Sequence, residues 1–183
     1  SGPQITLVLP PRTLALGKRD PLDLALADFN GDGRLDIAVA ARGGKDLLLF
    51  LQTAAGVASF APPVALPLSS EPACLVAADL DGDGRMDLAA GLASGTLAVL
   101  LQDPAGSAGP GLFRPAVETA LGSHPFQLRS ADLNADGRPD LAVTLDLGGL
   151  GGLGLLFQDP AQAGRFLPVK VPSIMPSIRI VVA

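Results

Sequence analysis

A chain of 183 residues, 48% hydrophobic, is long enough for one domain with a sizeable core, and its mean hydropathy of +0.41 asks most segments to be buried on both faces. Aromatic residues make up only 4%, with no Trp or Tyr, so the core must be Leu, Val, Ile and Ala; 22 Gly and 17 Pro argue against long helices. The net charge of -5 is local, because ten of the 18 acids fall in three short stretches, leaving eight against 13 Lys and Arg; no basic run interleaved with aromatics suggests nucleic-acid binding.

In chain order, residues 5–16, with Pro10 and Pro11 inside, read as a lone outer strand. Pro21, Pro72, Pro125 and Pro176 then each open an apolar segment, at spacings of 51, 53 and 51. A period near 50 with strand-like segments indicates a propeller or solenoid array. The array divides into a lone outer strand at 1–19, repeats at 20–70, 71–123 and 124–174, and the first strand of an incomplete fourth repeat at 175–183. Ala183 lies 51 residues after Asp132, where a fourth loop would begin.

Each repeat reads as four strands. Strand A (22–27, 73–78, 126–131) runs into an acidic loop, and strand B (36–41, 87–92, 140–145) leaves it. Strand C (47–52, 96–102, 153–158) follows a polar or Gly-rich turn. Strand D follows a Gly-containing turn and carries a recurrent Phe-x-Pro: Phe60 with Pro62, Phe113 with Pro115, Phe166 with Pro168. Proline cannot donate to a ladder, so D is expected at the outer edge. Strands A to C are near-continuous apolar runs, as in sheets covered on both faces. The expected fold is all-β: tandem four-stranded antiparallel blades of β-propeller type, about three complete repeats plus a lone strand at each end, not a closed ring on its own. No apolar run reaches the length of a membrane span, so membrane insertion is not expected. Cys74, the only cysteine, sits in an apolar segment and reads as a packing residue.

The loop between A and B recurs as D-x-(D/N)-x-D-G-R-x-D. The first copy runs from Asp28 to Asp36, the second from Asp79 to Asp87 and the third from Asp132 to Asp140. Acids or amides at positions 1, 3, 5 and 9, with Gly at 6, are what an oxygen-liganded cation needs of a short loop. Asp28, Asn30, Asp32 and Asp36 would offer side-chain oxygens, and Arg34 its backbone carbonyl with its side chain pointing away. The second set is Asp79, Asp81, Asp83, the Arg85 carbonyl and Asp87; the third is Asp132, Asn134, Asp136, the Arg138 carbonyl and Asp140. Oxygen-only ligation without His or Cys suits Ca²⁺, with Mg²⁺ second. The alternative is a set of Asx-turns without metal, which gives no reason for three to four carboxylates to crowd one turn. At position 4, Ala135 replaces the glycine of the other copies, a change expected to be tolerated because that position donates no side chain.

Residues Ala27 to Val39, their two counterparts and the Phe-x-Pro segments resemble FG-GAP/VCBS repeats, the calcium-binding blades of integrin-alpha-type propellers and many bacterial surface proteins. The resemblance implies four-stranded blades, one Ca²⁺ per repeat (about three per chain) and an extracellular or cell-surface setting. The function expected is a structural or adhesion module whose Ca²⁺ ions lock each A–B turn, with end-to-end self-assembly into a filament or ring. The alternatives are a fragment of a larger propeller that binds a ligand or receptor, and an accessory domain of a secreted enzyme. The partners expected are other copies of the chain or further repeats. No catalytic role is read: His124 is the sole histidine and reads as a turn residue, with no nucleophile or orienting acid supplied by a motif.

Overall fold

A computed structural model describes residues 13–105 and 112–168. Eleven strands fill it, in three antiparallel sheets. The first sheet is β1 (Asp20–Ala27), β2 (Asp36–Arg42), β3 (Asp46–Phe50) and β4 (Val64–Pro67), in that spatial order. The second repeats it with β5 (Pro72–Ala78), β6 (Asp87–Leu92), β7 (Thr96–Leu100) and β8 (Val117–Ala120). The third holds β9 (Pro125–Ala131), β10 (Asp140–Asp146) and β11 (Gly151–Leu156); a fourth strand there would fall outside the described residues. β1 lies beside β5, and β5 beside β9, so the first strands share one inner edge of the stack while β4 and β8 form outer edges. These are blades of propeller type, and among the described residues they do not close a ring.

Two strand boundaries differ from the sequence reading, each for a physical reason. Strand C stops at Phe50, Leu100 and Leu156, short of the glutamines. The N–H groups of Gln52, Gln102 and Gln158 go instead to the side chains of Asp36, Asp87 and Asp140, which ends the ladder. Phe-x-Pro does not lie in strand D. Phe60, Phe113 and Phe166 make single bridges to Gln52, Gln102 and Gln158, and the edge strand begins after the prolines, at Val64 and Val117. Of the expected lone strand at 5–16, the described residues 13–16 are not in a strand, although Leu14 and Leu16 pack on the first sheet. The expected strand at 178–183 lies outside the described residues.

Blade-on-blade packing sets large side chains against small ones. Ala27, Ala38 and Ala40 of the first sheet meet Leu75, Leu88 and Leu92 of the second. On the far side of the second sheet, Cys74 and Ala89 meet Leu128, Leu141 and Val143 of the third. β6 is therefore buried along its whole length. Cys74 is fully enclosed, and burial pushes its thiol up to about 12, in keeping with a packing role. Polar links cross the seam between the first two blades: the Leu75 N–H donates to Asp23 Oδ2 at 3.0 Å, and the Gly43 N–H to Glu71 Oε1 at 3.1 Å.

Gly91 sits in a tight contact between the second and third blades. A Cβ there would lie 2.7 Å from both Cys74 Sγ and Pro125 Cγ, and neither a buried thiol nor a proline ring yields cheaply. Gly91→Ala should destabilise the chain by about 1–3 kcal/mol. Denaturant unfolding would check it, and an unchanged midpoint would contradict the seam.

Candidate metal centre

Each loop is wound around the carboxylate at position 1. Asp28 Oδ1 accepts the N–H of Gly31 at 2.7 Å and of Asp32 at 3.1 Å, and its Oδ2 accepts Gly33 at 2.7 Å. Asp79 holds Gly82, Asp83 and Gly84 in the same way, at 2.8, 3.1 and 2.9 Å. Asp132 holds Asp136 and Gly137, at 3.2 and 2.9 Å. Burial alone would raise the Asp28 carboxyl, but the converging N–H groups outweigh it and hold the group below the ordinary carboxylate range.

Winding the backbone so tightly needs left-handed residues at two positions. Position 6 is Gly33, Gly84 and Gly137, with φ near +80° in every copy. Position 4 is also left-handed: Gly31 at +73°, Gly82 at +78° and Ala135 at +61°. Ala135 is thus accommodated at a steric cost, and the glycines elsewhere at position 4 serve the backbone rather than merely sparing a side chain.

Position 9 is different in kind. Asp36, Asp87 and Asp140 are fully buried, and each clamps two backbone segments. Asp36 Oδ2 accepts the Phe29 N–H at 2.9 Å and its Oδ1 the Gln52 N–H at 2.8 Å. Asp87 joins Leu80 (2.8 Å) to Gln102 (2.7 Å), and Asp140 joins Leu133 (3.1 Å) to Gln158 (2.9 Å). One carboxylate therefore ties the start of the loop to the end of the third strand. Desolvation pushes the Asp87 carboxyl up to about 6, its two N–H donors opposing and the charges of Asp81 and Asp83 adding. Asp36 is raised on the same grounds, with Asp32 and Asp28 as the neighbouring charges.

Positions 3 and 5 complete the cluster. In the second loop, ligand oxygens of Asp79, Asp81 and Asp87 lie within 4.8 Å of one another, a group able to hold a metal ion. Desolvation, followed by the charges of Asp83 and Asp79, raises Asp81. In the outer loops an amide takes position 3: Asn30 Nδ2 donates to Asp32 Oδ2 at 2.9 Å, and Asn134 Nδ2 to Asp136 Oδ2 at 3.0 Å. The position-7 arginines do not point away. Arg34, Arg85 and Arg138 fold back onto Asp32, Asp83 and Asp136, the last pair at 2.7 Å. The Arg138 hydrogen bond holds Asp136 below its ordinary value. A cation entering the loop would compete with this arginine for the position-5 carboxylate. Among the described residues, no ion pair reaches Asp36, Asp87 or Asp140. The donors offered are all oxygens, which fits a hard divalent cation.

The glutamines were not singled out from sequence. They follow position 9 at varying distances of 16, 15 and 18 residues, because the hairpins of the second and third strands differ in register. The signal available was the recurrence of Gln-Asp-Pro at Gln102 and Gln158.

Residues 28–90, which contain the first two loops, match the family model of the FG-GAP-like repeat. No curated protein matches the chain.

Two predictions arise from the loops. Ala135→Gly should relieve the left-handed strain and stabilise the chain by about 1 kcal/mol, read from the unfolding midpoint. The metal-free chain should also lose stability as pH rises from about 4 to about 6. Over that window the folded state retains the Asp87 proton that the unfolded state has released, and Asp36 acts in the same direction. The depressed Asp28 works oppositely, losing its contribution only below the ordinary carboxylate range. Denaturant midpoints across the window would check the sign, and a rise toward pH 6 would refute it.

Proposed function

From the premise that residues 28–90 form an FG-GAP-like repeat segment, we propose that the chain is a calcium-binding structural module acting outside the cell in display, adhesion or assembly. One Ca²⁺ per loop, about three per chain, locks the turn between the first two strands of each blade. Asp28, Asn30, Asp32, Asp36 and the Arg34 carbonyl would hold the first ion. The second would take Asp79, Asp81, Asp83, Asp87 and the Arg85 carbonyl, and the third Asp132, Asn134, Asp136, Asp140 and the Arg138 carbonyl. The observation that carries this reading is position 9: a fully buried carboxylate, in a turn crowded with others, to which no ion pair among the described residues extends. Desolvation opposes the ionisation of Asp36 and Asp87, and a bound cation would favour their anions. The donor number of each loop suits Ca²⁺, which takes 6–8 oxygens, better than Mg²⁺, which keeps several waters. Extracellular modules of this chemistry bind with Kd of about 10⁻⁴–10⁻³ M, a range kept filled by calcium outside cells.

The end faces favour assembly. On the open side of the first sheet, Leu22, Leu24 and Ile37 line an apolar groove of about 480 Å³. The exposed side of the third sheet carries Leu153. Within the stack, faces of these two kinds are buried against one another, so the open pair can meet in a second copy. Head-to-tail contacts of this type give a ring if they close and a filament if they do not. Further blades of a larger propeller would use the same faces.

Calcium titration by equilibrium dialysis should give about three ions per chain, and chelation should lower the melting temperature by several degrees. Absence of bound calcium, or a melt indifferent to chelation, would overturn the module. Electron microscopy with calcium present should show rings or filaments; particles of single-chain size at high concentration would reject assembly and leave calcium binding standing.

A further inference from the structure

The glutamines after the third strands reach across to the preceding blade. Gln102 Nε2 donates to the Phe29 carbonyl, and Gln158 Nε2 donates to the Leu80 carbonyl at 2.6 Å. Phe29 and Leu80 occupy position 2 of their loops, between the candidate ligands at positions 1 and 3. Both glutamines are buried, and so are the residues they clasp. The bridging phenylalanine assists: the Phe113 ring meets Phe29 edge-on, with centroids 5.9 Å apart, and Phe166 belongs to the cluster that encloses Leu80.

Each clasp is continuous with a position-9 carboxylate. The Gln102 N–H rests on Asp87 Oδ1, while its side chain holds Phe29, whose own N–H rests on Asp36 Oδ2. One blade on, the Gln158 N–H rests on Asp140 Oδ1, its side chain holds Leu80, and the Leu80 N–H rests on Asp87 Oδ2. An unbroken line of hydrogen bonds therefore runs from Asp140 through Asp87 to Asp36.

We propose that Gln102 and Gln158 are positioning residues that couple the three loops, so that a cation in one loop raises the affinity of its neighbours. The inference rests on the calcium reading above. Fixing the Asp87 carboxylate fixes the backbone of Gln102; the side chain of Gln102 then holds Phe29, and with it the spacing of Asp28 and Asn30. The ordering cost of the first loop is thereby met in part by the second, which is positive cooperativity without a change of shape. By reciprocity the first loop supports the second equally.

The test uses the full chain, with calcium titrations read by hydrogen exchange on peptides spanning 28–36, 79–87 and 132–140. Asp81→Asn with Asp83→Asn empties the second loop and spares Asp87. Calcium affinity of the first and third loops should then fall about fivefold or more. Gln102→Met should abolish the effect of emptying the second loop on the first loop and leave its effect on the third. Should Gln102→Met fail to fold, Gln158→Met makes the mirror test, releasing the third loop and keeping the first coupled. Affinities at the outer loops unchanged by emptying the second would overturn the coupling, as would a fall that persists through both glutamine variants. Absence of calcium from every loop of the parent chain would instead sink the calcium reading itself.

Discussion

The interaction on which the rest depends is the buried carboxylate at position 9. Asp36, Asp87 and Asp140 each accept one N–H from the start of their loop and one from the end of the third strand. Those donors would otherwise be buried without partners, each at a cost of about 1–3 kcal/mol. The same bond that closes the loop also ends the third strand and aims the glutamine side chain at the preceding blade. Local turn geometry and blade register are thus two outcomes of one group.

Stacking follows from an asymmetry between the two faces of a sheet. Along the second strand of a blade, the face toward the preceding blade carries the larger side chains, Leu88 and Leu92 or Leu141 and Val143, and the face toward the following blade the smaller, Ala38 and Ala40 or Ala89 and Gly91. A single blade of this kind cannot bury its own leucines, whereas a stack lays these large residues on the preceding blade's small ones. That is how a chain with only seven phenylalanines and no larger aromatic fills its core: by repeating a thin interface rather than enlarging one centre. It also explains why the two end sheets expose apolar side chains, such as Leu24 and Leu153, whose counterparts in the middle sheet, Leu75 and Leu97, are buried.

The strand order, the loop position and the period were legible in the sequence because each rests on a strong local demand. Acid spacing, Gly at position 6 and long apolar runs read the same with or without tertiary context. What escaped depended on partners distant in the chain. Gln102 meets Phe29 across 73 residues, and nothing about a glutamine at the end of an apolar run announces that contact. Phe-x-Pro looked like part of a strand because phenylalanine favours strands, yet the phenylalanine is turned to a neighbouring loop and the ladder begins only beyond the prolines. The arginines at position 7 were expected to leave the loop, but with Asp32, Asp83 and Asp136 within reach they fold back onto them. Ala135 drew attention as a substitution, but its left-handed backbone is a property of the turn that composition does not display.

Three loops of nearly identical sequence are not equivalent in place. The clasp runs in one direction only, from each blade to the loop before it. Phe29 and Leu80 are clasped and fully buried, whereas Leu133, the position-2 residue of the third loop, is 45% exposed, with no clasp among the described residues. The third loop also carries the strained Ala135. It is therefore the loop with the least support from its surroundings and the most to gain from a following blade that offers a glutamine to its carbonyl. The leucine groove on the first sheet belongs to the face on which later blades carry that glutamine, and Gln52 stands there in the corresponding position. In the proposed assembly, apolar shape and the direction of the hydrogen-bond line would set the same order of stacking, first face onto third.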